Sequence, residues 1–328
     1  MTNNNTISLA HGNGGRLMQE LIQNVFAPAF GVKTLDTTKD AVALDLRGHA
    51  VISTDGFTVD PIFFPGGDIG KLAVCGTLND LLVSGAIPAY LTVNFFIEEG
   101  YPISSLTSIA TSMGQTARDN QVRIVAGDTK VLPRGNAAGI YIATTGIGVM
   151  QRADLSLQRI RTGDSVFISG TVGDHGTAVM LARQEFGLHG DLESDCSCVK
   201  PLVEKLLSIE TLKFMRDPTR GGLAGVCHEI VNSTGLGVRL KENAIPVQDQ
   251  VRTMCEILGY DPYQLACEGR VLFVCGPETD LAQLKQISED ICEIGVIEDR
   301  SSQVLLETSL GGQRIVPELE GEPLPRIC

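Results

Sequence analysis

The sequence predicts an α/β (α+β) protein of two domains followed by an extended tail. Three observations carry this. The chain has 328 residues, 43% of them hydrophobic, more than a single core ordinarily organises and enough apolar content to fill two. Short strand-like apolar runs alternate with segments of helical apolar spacing. The alternation breaks at the polar joint Gln151-Arg152-Ala153-Asp154, then restarts.

Taken in order, His11-Gly12-Asn13-Gly14-Gly15 reads as a mobile glycine loop leading into a helix over 16–26. Residues 1–39 form this arm. The runs 41–44 and 50–53, joined through Arg47-Gly48-His49, predict a hairpin. A helix over 68–84, a strand over 90–97, a helix over 104–119 and strands at 122–126 and 140–149 complete a first unit, residues 40–150. The second unit, residues 155–315, opens with a strand at 165–169 and the loop Gly170-Thr171-Val172-Gly173-Asp174-His175-Gly176. Helices near 177–186, 199–209, 222–233 and 247–258 follow, with strands near 270–275, 293–297 and 303–307.

Residues 316–328 are rich in proline and acid and end in Pro325-Arg326-Ile327-Cys328. Such a segment has too little apolar surface to fold, and its prolines hold it extended, so the Cys328 thiol is presented. Twelve extended residues reach roughly 40 Å at about 3.3 Å each, against a radius of gyration near ~20 Å for a chain of this size. A frayed terminus that happens to end in cysteine is the plain alternative.

Composition narrows the function. A net charge of −13 without a basic stripe argues against nucleic acid, whose binding rests on neutralising phosphates. Neither a membrane-length apolar run nor a signal peptide is visible, so a cytoplasmic protein is expected. The nine cysteines lie mostly in apolar stretches, which favours reduced, buried thiols; Cys196 and Cys198, the one close pair, lack the second pair a zinc site needs.

Aspartates stand at strand ends or beside turn residues: Asp40, Asp55, Asp80, Asp128 and Asp217. Magnesium takes one or two carboxylates per ion plus substrate phosphates, so this set suits Mg-ATP. Taken singly, each suits a turn or helix cap. Asp80 differs, because it lies within an apolar helix. Gly66-Gly67-Asp68-Ile69-Gly70-Lys71-Leu72 misses the P-loop spacing, and Leu72 replaces its hydroxyl, so it reads as a loop and helix start. The amides of Gly12, Gly14 and Gly15 suit covering phosphates, and equally a linker.

His11–Arg16, Ser53-Thr54-Asp55-Gly56-Phe57, 76–81, Ala126-Gly127-Asp128-Thr129-Lys130, 216–225 and the terminal Pro-Arg-Ile-Cys together resemble the HypE family of hydrogenase maturation factors. That family belongs with aminoimidazole ribonucleotide synthetase, selenophosphate synthetase and thiamine-phosphate kinase, and the likeness runs end to end. It implies an N-terminal sheet that pairs across a homodimer into a β-barrel, a C-terminal α/β domain, and ATP in the cleft. It implies that Cys328 accepts a carbamoyl group from the carbamoyltransferase HypF. ATP-dependent dehydration then gives a thiocyanate, whose cyanide passes to iron in the HypC–HypD complex for a [NiFe] hydrogenase.

By the same resemblance Asp55, Asp80, Asp128 and Asp217 are magnesium or ATP ligands, joined by Asp40, Asn79, Thr129 and the glycine loop. Glu268, in Leu265-Ala266-Cys267-Glu268-Gly269, is the expected base that strips the amide protons, with its pKa raised by apolar surroundings. Lys130 is the expected stabiliser of negative charge. His175 is a further candidate, with a packed loop histidine as the alternative. Another enzyme of the superfamily, or a thiol carrier without catalysis, are the rival readings. The first would have no use for the terminal thiol, the second none for an ATP site.

Overall fold

The structure is a computed structural model that describes residues 6–31, 41–184, 187, 190–319, 321 and 327. A 3-10 turn at Leu9–Gly12 leads into α1 (Arg16–Leu21), a π-helical turn (Ile22–Phe26) and α2 (Ala27–Phe30). Then come β1 (Ala50–Phe57), β2 (Phe63–Phe64), β3 (Gly67–Asp68), α3 (Ile69–Val83), β4 (Ala86–Glu98), α4 (Ile103–Asp119), β5 (Arg123–Leu132) and β6 (Ile140–Met150). Asp68 starts α3 by accepting from the amides of Gly70 (2.7 Å) and Lys71 (3.0 Å), so the P-loop lookalike is indeed a helix cap.

The four larger strands form one sheet in the order β1-β6-β4-β5. Only β4 and β5 run parallel, and α4 supplies the crossover that parallel neighbours require. β4 alternates buried and half-buried residues. Its Leu91, Val93, Phe95 and Ile97 join Leu72, Leu78, Ile109 and Met113 of α3 and α4 in the core. Among the described residues no helix covers the opposite face, and Ile52 on β1 is 66% exposed.

The second half contains β7 (Ser165–Ile168), α5 (Asp174–Arg183), α6 (Lys200–Leu206), β8 (Leu212–Arg216), α7 (Gly222–Thr234), β9 (Gly237–Lys241), α8 (Asp249–Leu258), β10 (Leu272–Cys275), α9 (Leu281–Ile287), β11 (Cys292–Glu298), β12 (Val304–Glu307) and β13 (Gln313–Ile315). Its seven strands order as β13-β12-β9-β11-β7-β10-β8. Val166, Ile168, Leu272 and Val274 of the sheet pack on Leu223, Val226, Cys227 and Ile230 of α7.

The joint between the halves is tightly held. The Arg152 guanidinium donates to the carbonyls of Leu207 (3.1 Å), Ile209 (2.6 Å), Glu210 (3.2 Å) and Leu212 (2.7 Å), satisfying the chain between α6 and β8. Asn79 of α3 reaches across as well. Its Oδ1 accepts from the Val199 amide (2.9 Å), and its Nδ2 donates to the carbonyls of Ser197 (3.0 Å) and Glu268 (3.2 Å).

Several elements differ from expectation. Residues 41–44 form no strand, because β1 spends its inner edge on β6, from Ala50↔Val149 to Phe57↔Ile142, rather than folding back on them. β5 runs on to Leu132, which places Asp128 within a strand and not in a loop. α5 begins at Asp174, bringing His175 into the helix, and β8, β9, β13 and α9 were not foreseen.

Candidate active site

Four carboxylates gather where the halves meet. Asp55 pairs across the ladder with Thr144, which is buried beneath α3, so its side chain lies on the helix-covered face. Ser53, two residues earlier on the same face, donates to Asp80 on α3 at 2.7 Å. Burial raises the Asp80 pKa; the Ser53 bond opposes the shift, and the neighbouring Asp55 charge adds to it.

Asp217 and Glu268 arrive from the second half on two loops that are bonded together. The Cys267 amide donates to the Pro218 carbonyl at 3.0 Å. Gly221 and Gly222 have φ of 72° and 58°, and a Cβ at Gly222 would stand 2.4 Å from the Leu265 carbonyl oxygen. Only glycine lets the Asp217 loop press this close to the Glu268 loop. Burial pushes the Asp217 pKa up to about 6, with the Asp80 charge adding to it.

Glu268 is 3% exposed, and its Oε1 has no hydrogen-bond partner. Burial raises its pKa well above the carboxylate range, and the charges of Cys196, Asp217, Asp195 and Asp55 push the same way. A proton-avid carboxylate with one free oxygen, set where the two halves meet, has the chemistry of a general base. Its backbone is fixed from below. Asp195 accepts from the amides of Glu268 (3.1 Å) and Gly269 (3.2 Å), and Arg270 stands 3.5 Å from the same carboxylate.

The other expected residues lie elsewhere. Asp128 pairs with Asn94 on the open face of the sheet, and Lys130 with Phe96. Asp128 accepts from the Thr129 amide (2.8 Å) and pairs with Lys130 (2.7 Å), which holds its pKa low. A Cβ on Gly12 would meet the Val131 nitrogen at 2.9 Å, so the glycine arm rests on this same strand. Between β1 and β5 stand β6 and β4, three ladder steps or about 14 Å. One chain therefore carries two separate candidate half-sites: Asp55, Asp80, Asp217 and Glu268 in one, the glycine arm with Asp128 and Lys130 in the other; Thr129, paired with Phe95 and 3% exposed, faces the core instead.

Asn79 is 1% exposed, and both its polar atoms bond to backbone, so it ties the halves together. Asp40 and Cys328 lie outside the described residues. Ile327 is buried (5% exposed), and its carbonyl accepts from His175 Nε2 at 2.8 Å. Sequence reasoning passed over Asp195, which sits beside cysteines read as incidental, and Arg220, which stands 3.4 Å from Asp55. For Arg220 the signal was present, since it lies inside the 216–225 motif.

A divalent ion fits the first half-site. Its donors are hard oxygens, and burial holds Asp80, Asp217 and Glu268 above the usual carboxylate range, a cost that a bound cation would offset. Among the described residues no three His, Cys, Asp or Glu side chains stand together closely enough to hold a metal alone. Magnesium bound through phosphates needs only one or two of them.

The two sheets and the carboxylates gathered between them define a protein of the AIR synthase related class: residues 38–150 match its N-terminal domain and residues 161–306 its C-terminal domain. The carbamoyl dehydratase HypE of Bradyrhizobium diazoefficiens is 45% identical over 99% of this chain and 97% of its own length. The HypE of Escherichia coli is 42% identical over 99% and 100%. A crystal structure of the hydrogenase maturation protein HypE in complex with ATP superposes with a TM-score of 0.91 at 42% identity, covering 98% of this chain and 99% of that one. The chain belongs to the HypE family. A structure of a HypE–HypF complex also matches, with a TM-score of 0.79 at 43% identity over 93% and 100%.

Proposed function

We propose that this chain serves [NiFe] hydrogenase maturation as an ATP-dependent carbamoyl dehydratase acting on its own Cys328. The S-carbamoyl group arrives from a HypF-type carbamoyltransferase. Bound ATP supplies a phosphoryl group, so that the amide oxygen leaves as phosphate and a C≡N bond forms. The products are a thiocyanate on Cys328, ADP and phosphate; the cyanide goes to iron held by a HypC–HypD complex.

The chain's own residues perform the remainder. Glu268 takes the amide protons, a task that its raised pKa and free Oε1 suit. Asp55, Asp80 and Asp217 hold magnesium against the phosphates, and Arg220 balances their charge. The observation that carries this reading is Ile327: the residue next to Cys328 is buried in the domain that holds Glu268, which suits a thiol whose cargo is worked on inside.

Lys130, Asp128 and the glycine arm complete the site from a second copy. The uncovered sheet face and the unpaired edges of β1 and β5 favour closing two four-stranded sheets into a barrel, which abolishes edges. A homodimer would then bring the β5 half-site of one protomer to the β1 half-site of the other, with Lys130 against the reacting oxygen. A cytoplasmic location accords with the free thiols at all eight described cysteines. Among the described residues no helix is long and apolar enough to cross a membrane.

The test is mass spectrometry of the C-terminal peptide after incubation with the carbamoylating partner. The reading requires a carbamoyl adduct on Cys328 that loses one water only when ATP is present. An adduct that never dehydrates, or ATP-dependent product from Cys328→Ala, refutes it.

A further inference from the structure

We infer that His175 is the positioning residue that sets the tail against Glu268, acting through a clasp with Ser194 and the Ile327 carbonyl. This deepens the dehydratase reading and rests on it. A carbonyl only accepts, so the 2.8 Å contact requires the proton on His175 Nε2. Nδ1 then accepts from the Ser194 hydroxyl at 2.7 Å. Ser194 Oγ in turn accepts from the Cys196 amide at 3.0 Å, which fixes the direction of the whole chain of bonds. The imidazole is fully buried and stacks edge-on against Phe64 with centroids 5.4 Å apart. Burial holds its pKa down at about 4, so the ring stays neutral and keeps this tautomer.

The clasp shares its foundations with the base. Ser194 is followed by Asp195, whose carboxylate clamps the amides of Glu268 and Gly269. His175 is followed by Gly176, whose amide donates to the Ala266 carbonyl at 3.1 Å, two residues before Glu268. One strap therefore holds the tail tip through its hydroxyl and the Glu268 loop through its carboxylate. Among the described residues, the tail's other side-chain contacts come earlier along it: His228 to the Val316 carbonyl, Gln264 to the Pro317 carbonyl and Asn232 to Glu318.

The test uses the full-length chain with two variants. His175→Asn removes the donor, because its amide nitrogen ends near the Nδ1 position, whereas the amide of His175→Gln reaches the Nε2 position and restores it. Peptide-resolved maleimide labelling of Cys328 and deuterium uptake of the peptide containing Ile327 report the tail; ATP-dependent loss of water from the carbamoylated chain reports turnover. Expected is labelling about fivefold faster in His175→Asn, the population change of one ordinary net hydrogen bond. Turnover should fall with the KM for ATP unchanged, and His175→Gln should recover both. Wild-type labelling and turnover in folded His175→Asn would overturn the proposal. Should that variant fail to fold, Ser194→Ala decides in its place, since it frees the ring and leaves the core volume nearly intact: faster labelling supports the clasp, an unchanged rate refutes it. Labelling needs no dehydration, so a wild-type chain with a protected tail but no ATP-dependent mass loss would refute the dehydratase reading alone.

Discussion

Replacing Asp217 by asparagine should stabilise the nucleotide-free protein while disabling it. The Asp217 pKa rises from 3.8 to about 6 on folding, chiefly through burial. A carboxylate whose folded pKa is raised favours folding below the unfolded value, and that advantage is lost as pH rises through the folded one. About two units at 1.36 kcal/mol each make the ionised Asp217 cost about 3 kcal/mol at pH 7. Asparagine keeps the shape and can still accept from the Thr219 hydroxyl, which lies 2.9 Å from Oδ2. Urea denaturation across pH should therefore show a gain near 3 kcal/mol above pH 7 that shrinks to nothing below about pH 3.8. With Mg-ATP the order should reverse, because wild type gains a bound cation that the variant holds poorly. A variant no more stable than wild type at pH 7, or a gain that does not vary with pH, would refute the reasoning that the buried, ionised Asp217 carries a cost for a cation to relieve.

Other outcomes follow from the same geometry. Glu268→Gln should retain the carbamoyl adduct yet dehydrate it 10²–10⁴-fold more slowly, as followed by single-turnover mass spectrometry. Lys130→Ala and Asp217→Asn should each be inactive alone, but a re-equilibrated equal mixture should regain about a quarter of wild-type activity, since half the dimers are mixed and each has one intact site. No recovery would exclude the composite site. Ile52→Lys should shift sedimentation toward the monomer, since Ile52 lies on the exposed face that dimerisation would cover. His175, with a pKa lowered from 6.5 to about 4 by burial, contributes stability above pH 6.5 that is lost as pH falls through 4, about 3 kcal/mol in all. The melting temperature of His175→Gln should accordingly depend less on pH over that window.

Much of this was legible in the chain. The Asp68 cap, the helix near 222–233 and the acidic motifs at Asp55, Asp80 and Asp217 follow from turn chemistry and from a carboxylate set in an apolar helix. What escaped depended on partners distant in sequence. β5 was truncated because Gly127 and Asp128 are poor strand formers, and only pairing with β4 overrides them. β8 is short and carries Lys213 and Arg216, so its strand character comes from lying beside β10. Sequence placed Asp128 and Asp55 in one list. The ladder put them at opposite edges, which no local pattern could reveal. Asp195 had no signal at all, because its role is to hold the backbone of a residue on a remote loop.

Arg152 and Asn79 make the two sheets a poor place to cut. Separating the domains would strand the carbonyls that Arg152 satisfies and deprive Ser197, Val199 and Glu268 of Asn79. The halves are thus obligate companions, and neither should be expressible as a well-behaved fragment. It also means that the cleft cannot gape by bending at the joint. Its contents must be exchanged with the two sheets held in this one arrangement.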